Sequence, residues 1–175
     1  MDGLDGLVAG SMLISLSGAF ITLSVSWPYW VIIGSLFSFL LFNWSPSKVF
    51  MGDVGSTFLA AVFVAFILQS PTWYVFFGLL LIPTPLFADS IVTIVRRFFA
   101  QQDFFSAHRL HLYQRLHQSG WSHSLVALTY VSSTLLLCIS FLIGGLSSVL
   151  LALFVVLILG LMLDKYFAIP FSIAS

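Results

Sequence analysis

The sequence has no glutamate, and its 175 residues hold only six acidic and six basic side chains and one cysteine. Charged residues make up 7% of the chain, against about 25% in an ordinary soluble domain, which excludes water as its main solvent. The formal net charge of +0 leaves no basic surface for a polyanion, so no nucleic acid partner is expected. Cys138 is alone, cannot close an intrachain disulfide, and lies in an apolar run where it reads as packing. No basic segment precedes the first apolar stretch, so no signal peptide is read. There is no internal repeat, low-complexity tract or soluble second domain.

What fills the chain is apolar: 60% of residues are hydrophobic, and the mean hydropathy is +1.11. This composition predicts an all-α, polytopic membrane protein with a single integral domain over residues 1–175. Six apolar segments approach the ~20 residues that cross a bilayer as a helix. They run over Leu7–Val25, Tyr29–Phe42, Ser56–Leu68, Trp73–Ala88, Ser124–Ile143 and Ser147–Leu163. The second and third are short and need flanking residues or local thinning to span. Turn-like breaks separate them at Ser26-Trp27-Pro28, Ser45-Pro46-Ser47, Gln69-Ser70-Pro71-Thr72 and Gly144-Gly145.

Alternating helices would place every ionisable residue on one side. These residues fall in the N-terminal stub, loops at about 43–55 and 89–123, and the C-terminal tail. Excess Lys and Arg mark the cytoplasmic face, so both termini and both loops are expected there. Trp27, Tyr29, Trp30, Trp73 and Tyr74 would form the outer aromatic belt, with Trp44, Tyr113, Trp121 and Tyr166 near the inner interface. A transporter would hold ionisable groups near the midplane; their absence there argues against one. Solvated loops of an ordinary membrane protein would give the same charge placement.

The kinds of residue in those loops point further. In Val49-Phe50-Met51-Gly52-Asp53-Val54-Gly55-Ser56, a carboxylate stands between glycines just before an apolar helix. A glycine turn with Ser56 as helix cap explains this. A second reading has Gly52 and Gly55 admitting a phosphate to backbone N–H groups while Asp53 holds a hard cation; Mg2+ takes one or two carboxylates plus phosphate oxygens. Helices starting near Leu7, Ser56 and Ser124 would all turn their positive ends to the cytoplasm. In the second loop, Asp89 follows Pro83-Thr84-Pro85 and is expected to end the fourth helix. Arg96 and Arg97 come two turns later on a continuing helix, as membrane anchors or anion ligands. If residues 108–115 are helical, His108, His111 and Arg115 share a face, either a solvated stripe or a grip for a pyrophosphate. His117 and His123 stand apart and read as structural.

MDGLDGL, KVFMGDVGS, PLFADSIVTIVRR and HRLHLYQRLHQSGWSH, in this order among apolar helices, resemble the polyprenyl-phosphate N-acetylhexosamine-1-phosphate transferase family. That family includes the enzymes that initiate O-antigen, enterobacterial common antigen and teichoic acid linkage synthesis, and is related to the phospho-MurNAc-pentapeptide transferase. The resemblance implies transfer of an N-acetylhexosamine-1-phosphate from a UDP-sugar to undecaprenyl phosphate, with release of UMP and a need for Mg2+. It implies a bacterial inner-membrane protein with its site facing the cytoplasm, lipid as surroundings, and allows a homodimer. By position, Asp53 matches the magnesium aspartate, and Asp2 and Asp5 match the aspartate pair at the nucleotide end of a helix. His108 and His111 match the histidine-rich loop that engages the phosphates. Arg109 between them would add a charge-assisted hydrogen bond, and Lys48, Gly52, Gly55 and Ser56 are read as substrate-binding candidates.

Two departures accompany it. Tyr113 and Gln114 replace histidines that often close the family's HLHH motif, which points to the subgroup initiating O-antigen or other lipopolysaccharide glycans. The family's Asp-Asp motif for the lipid acceptor occurs nowhere in these 175 residues. The chain therefore corresponds to about the C-terminal half of a ten- or eleven-helix enzyme, with Met1 read as an internal methionine. The alternative is a non-catalytic remnant or partner subunit that binds magnesium and nucleotide without turnover.

Overall fold

Apolar stretches of this length satisfy their backbone polar groups most simply as helices, and every regular element among the described residues is helical. The computed structural model describes residues 4–101 and 109–171. Its elements are α1 (Leu7–Thr22), a 3-10 turn at Trp27–Tyr29, α2 (Trp30–Asn43), α3 (Gly52–Ile67), α4 (Trp73–Leu81), α5 (Thr84–Phe99), α6 (Leu112–Gln118) and α7 (His123–Tyr166).

The central helix is α1, which packs on α2, α3, α4 and α7. Small residues make that possible. A Cβ on Gly10 would come 2.7 Å from Val131 Cγ2, and one on Gly18 would come 2.6 Å from Cys138 Sγ, so α1 and α7 approach at backbone distance. Leu7, Leu16, Phe20, Phe63, Leu79, Ile82, Val126 and Leu137 close the core around it. Cys138 is buried in this packing.

The long helix α7 is two arms. Asp89 lies 2.8 Å from the hydroxyl of Tyr130, while Arg96, about 10 Å further along α5, lies 2.5 Å from Asp164. On a straight helix Tyr130 and Asp164 would stand about 50 Å apart. The chain therefore turns back at Gly145, whose φ of 64° and ψ of −154° leave the helical region. There the Leu146 N–H donates to the Tyr74 hydroxyl at 2.6 Å, so the break lies where Gly144-Gly145 predicts it.

The fourth apolar stretch differs from expectation. It is bent by 73° between α4 and α5, because Pro83 and Pro85 remove N–H donors; the Thr84 hydroxyl takes up the Leu81 carbonyl at 2.5 Å. Asp89 does not end the helix, which continues to Phe99. This helix is inside out: Leu86, Asp89, Thr93 and Arg97 are buried, while Phe87, Ile91, Ile94, Val95 and Phe98 are exposed. An apolar outer face over a polar inner one suits hydrocarbon better than water.

By length and apolarity, one helix, His123–Tyr166, suffices to cross a membrane, and the bent α4–α5 pair passes jointly. Leu7–Thr22, Trp27–Asn43 and Gly52–Ile67 are shorter apolar helices.

Candidate active site

Asp5 stands on the turn entering α1. Gly6 has φ +73°, and a Cβ there would meet Trp44 Cε3 at 2.7 Å, so glycine is required twice over. The Gly6 N–H donates to Asn43 Oδ1 at 3.1 Å, and Asn43 Nδ2 donates to the Val49 carbonyl at 2.9 Å. The chain's only asparagine thereby ties the end of α2 and the following loop to the start of α1. On this frame Ser47 Oγ donates to Asp5 Oδ1 at 2.8 Å, and Ser47 N lies 3.4 Å from Oδ2. The His123 ring brings Nδ1 to 3.1 Å from Oδ2. Burial pushes the Asp5 carboxyl up, but the Ser47 hydrogen bonds and the adjacent His123 outweigh it and hold the group below the usual aspartate range.

His123 was expected to be structural and remote; as the first residue of α7 it lies against Asp5. Its Nε2 lies 3.2 Å from Nε2 of His117, and His117 Nδ1 lies 2.8 Å from the Trp121 carbonyl oxygen. The two rings meet edge to face, with centroids 4.3 Å apart.

Asp53 has the opposite surroundings. It is the second residue of α3, exposed, where the helix dipole favours an anion. Among the described residues its carboxylate has no hydrogen-bond or ion-pair partner. Gly52 has φ +66° with open space where a Cβ would stand, and a Cβ on Gly55 would lie 2.6 Å from Met51 Cγ. The helix begins at Gly52 rather than Ser56, so Ser56 is not its cap; its hydroxyl donates to the Asp53 carbonyl at 3.1 Å. Lys48 is exposed, and its N–H donates to the Phe42 carbonyl at 2.8 Å. Ser47 and Asp53 are joined by so short a stretch of chain that they lie within about 20 Å of each other, at one end of the bundle.

The histidine-rich loop is also corrected. α6 starts at Leu112, and His111 is its N-cap with ψ 148°, in a reciprocal capping arrangement with Gln114. The helix expected over 108–115 begins only at Leu112, so His111 caps it instead of sharing a helical face with Arg115. His108 and Asp2 lie outside the described residues, and Arg109 is exposed. Arg115 is buried: Nε donates to the Leu110 carbonyl at 3.2 Å, Nη1 to the Ile169 carbonyl at 2.8 Å, and Nη2 meets Asp164. Asp89 accepts from Leu112 N at 2.7 Å and Tyr130 Oη at 2.8 Å, and has His111 Nδ1 at 3.7 Å. Tyr113, at the position of a family histidine, stacks beneath His111 with centroids 5.4 Å apart.

A cavity of about 260 Å³ runs between α5 and both arms of α7, walled by residues such as Val92, Val156, Leu157 and Leu163. Its polar end holds Asp89, Arg96, Arg115 and Asp164. Arg96 bridges both oxygens of Asp164 at 2.9 and 2.5 Å, so the arginines there are already paired and the groove suits an apolar occupant. Among the described residues no group of three or more His, Cys, Asp or Glu side chains is placed to hold a metal ion.

Sequence reasoning missed Asn43, Ser47 and His123 as parts of the Asp5 site. The available signals were a lone asparagine ending an apolar stretch and a histidine opening one. The Glycosyl transferase family 4 model matches residues 1–71. The chain is 32% identical over 173 residues to a probable undecaprenyl-phosphate N-acetylglucosaminyl 1-phosphate transferase of Bacillus subtilis, covering 91% of this chain and 47% of that protein. It is 32% identical over 147 residues to the phospho-N-acetylmuramoyl-pentapeptide-transferase of Bacillus cytotoxicus, covering 79% of this chain and 44% of that one. To the Chlamydia trachomatis protein of that name it is 43% identical over 70 residues, covering 35% of this chain and 21% of the relative. The chain thus spans about half or less of the curated relatives it matches. No solved structure matches it.

Proposed function

The chain belongs to glycosyl transferase family 4, and from that premise we propose that it carries the nucleotide-sugar side of a transferase. The reaction moves an N-acetylhexosamine-1-phosphate from a UDP-sugar to undecaprenyl phosphate, releases UMP, and starts a lipid-linked envelope glycan of the O-antigen type. The observation that carries this reading is the contrast between Asp5, held by Ser47 beside His123, and Asp53, whose carboxylate has no partner among the described residues, at the same end of the helices.

Attack of one phosphate on another brings two anions together, so charge has to be neutralised first. The residues fit magnesium: Asp53, without a partner among the described residues, offers a carboxylate oxygen at a helix start and would hold Mg2+, an ion that takes one or two carboxylates plus phosphate oxygens. Bound there, Mg2+ would supply charge neutralisation for the diphosphate and the leaving UMP. The N–H groups of the first turn of α3, with Gly52 and Gly55 keeping the approach clear, would receive a phosphate. Lys48 and Ser56 flank that approach, and His108, Arg109 and His111 are assigned to the sugar nucleotide's phosphates. Asp5 and Asp2 are assigned to positioning the acceptor phosphate. The apolar groove beside α5 matches the chemistry of a polyprenyl chain.

In the membrane, α1, α2, α3, the α4–α5 pair and the two arms of α7 would make six crossings. Both termini and the site would lie on the cytoplasmic side of the bacterial inner membrane, and the chain would act alone or as a homodimer. The test is UMP release from UDP-N-acetylglucosamine and undecaprenyl phosphate by the chain in lipid with Mg2+. Turnover that Asp53→Asn abolishes supports the reading; turnover indifferent to that change overturns the metal role. A second reading is a partner subunit that binds magnesium and nucleotide without turnover. It predicts no turnover alone and turnover when the N-terminal half of a relative is added.

A further inference from the structure

A buried charge in so apolar a chain needs a reason, because apolar packing would hold its helices together without the cost of desolvation. Asp89 is such a charge. It is buried on the inner side of α5, and its contacts reach two other helices. Oδ1 accepts from Leu112 N at 2.7 Å and from the Thr93 hydroxyl at 3.3 Å. Oδ2 accepts from the Tyr130 hydroxyl at 2.8 Å and has Tyr113 N at 3.4 Å. Leu112 and Tyr113 open α6, and the first N–H groups of a helix find no carbonyl within it. Asp89 receives both of them. α6 has seven residues, too few to hold its shape without such outside contacts. Just before it, the Leu110 carbonyl accepts from Arg115 Nε at 3.2 Å, and Leu110 is itself buried. His111 lies between these two anchors, with Nδ1 3.7 Å from Asp89 Oδ1 and its ring stacked on Tyr113.

We propose that Asp89 is a positioning residue for nucleotide binding: from inside the bundle it fixes the start of α6, and so sets where His111 stands to meet a nucleotide's phosphates. The inference deepens the transferase reading and rests on it for the role of His111. Each Asp89 oxygen serves one α6 amide and one hydroxyl. Asparagine cannot reproduce this, because its NH2 would turn donors toward the N–H of Leu112 or of Tyr113.

Amide hydrogen exchange of the full chain in lipid nanodiscs tests the anchoring. In the wild type, Leu112 and Tyr113 should exchange slowly, although the opening amides of a helix ordinarily lack partners. Exchange there at the unprotected rate overturns the proposal with no variant needed. In Asp89→Asn, protection should be lost at the start of α6 and kept in α1 and α3. Protection unchanged at α6, or lost evenly along the chain, overturns the proposal and makes Asp89 a residue of the fold at large. UDP with Mg2+ then tests the purpose, by titration calorimetry in the same nanodiscs. Asp89→Asn and His111→Gln should each weaken UDP binding about 10-fold, and the double variant should bind no worse than the weaker single one, because the two residues act as a unit. Losses that multiply overturn the proposal, since Asp89 would then act other than through His111. A wild type that binds no UDP, or binds it no better than His111→Gln does, overturns the nucleotide role of the loop and counts against the transferase reading. Intact α6 protection would still show Asp89 as the anchor of α6.

Discussion

Asp5 stands on the turn ahead of α1 and Asp53 in the first turn of α3, each next to a glycine. Their surroundings differ in kind. Asp5 is gripped by Ser47 and His123, on a frame pinned by Asn43, whereas Asp53 is exposed with no partner among the described residues. A carboxylate whose lone pairs are filled by its own protein contributes to the fold and sets the protonation of its neighbours. One left empty at a positive helix end is available to a ligand. The same residue type thus does two jobs, and substitutions should separate them.

The largest separation is in turnover. Asp53→Asn should cut UMP release about 10³-fold, the scale of losing a group that stabilises transition-state charge, while leaving thermal unfolding in detergent unchanged. A large loss of stability would show that Asp53 has a structural partner after all. Gly6→Ala should do the reverse. Its φ of +73° and the 2.7 Å approach to Trp44 imply a stability loss of about 1–3 kcal/mol, read as a lower unfolding midpoint. At Gly52 the same change meets open space and should cost less. Asn43→Ala orphans the Gly6 N–H and the Val49 carbonyl together, and should cost about 1–3 kcal/mol. A silent Asn43→Ala would mean that the frame under Asp5 is held by other contacts.

How much of this was legible in the sequence follows from the distance over which each contact acts. The helical class, the turn at Gly144-Gly145 and the two aspartate turns are local and were readable from composition and glycine placement. The Asn43–Gly6 bond spans 37 positions, and the Asp5–His123 contact joins the first turn of the chain to the start of α7, so neither leaves a periodic trace. Helix α5 was misread in part because its buried stripe of Asp89, Thr93 and Arg97 looks like loop polarity in a chain so poor in charge. The start of α6 was misplaced because His111 takes an extended ψ that its neighbours do not signal.

The smallest effect tests the grip on Asp5 most directly, because it asks only how that carboxylate titrates. Asp5 is held below the ordinary aspartate value by Ser47 and His123 despite its burial. A carboxyl depressed in the folded state binds protons less readily than in the unfolded chain. Its stabilisation is therefore present above the unfolded value of ~3.9 and is lost as pH falls through its own lower value. Asp89 and Asp164 also sit in native contacts, so the acid transition of the wild type sums several groups. The difference between wild type and Asp5→Asn isolates one. The unfolding midpoints of the two should converge as pH drops below 4 and separate above it. Parallel curves for Asp5→Asn would mean that Ser47 and His123 do not favour the ionised form of Asp5.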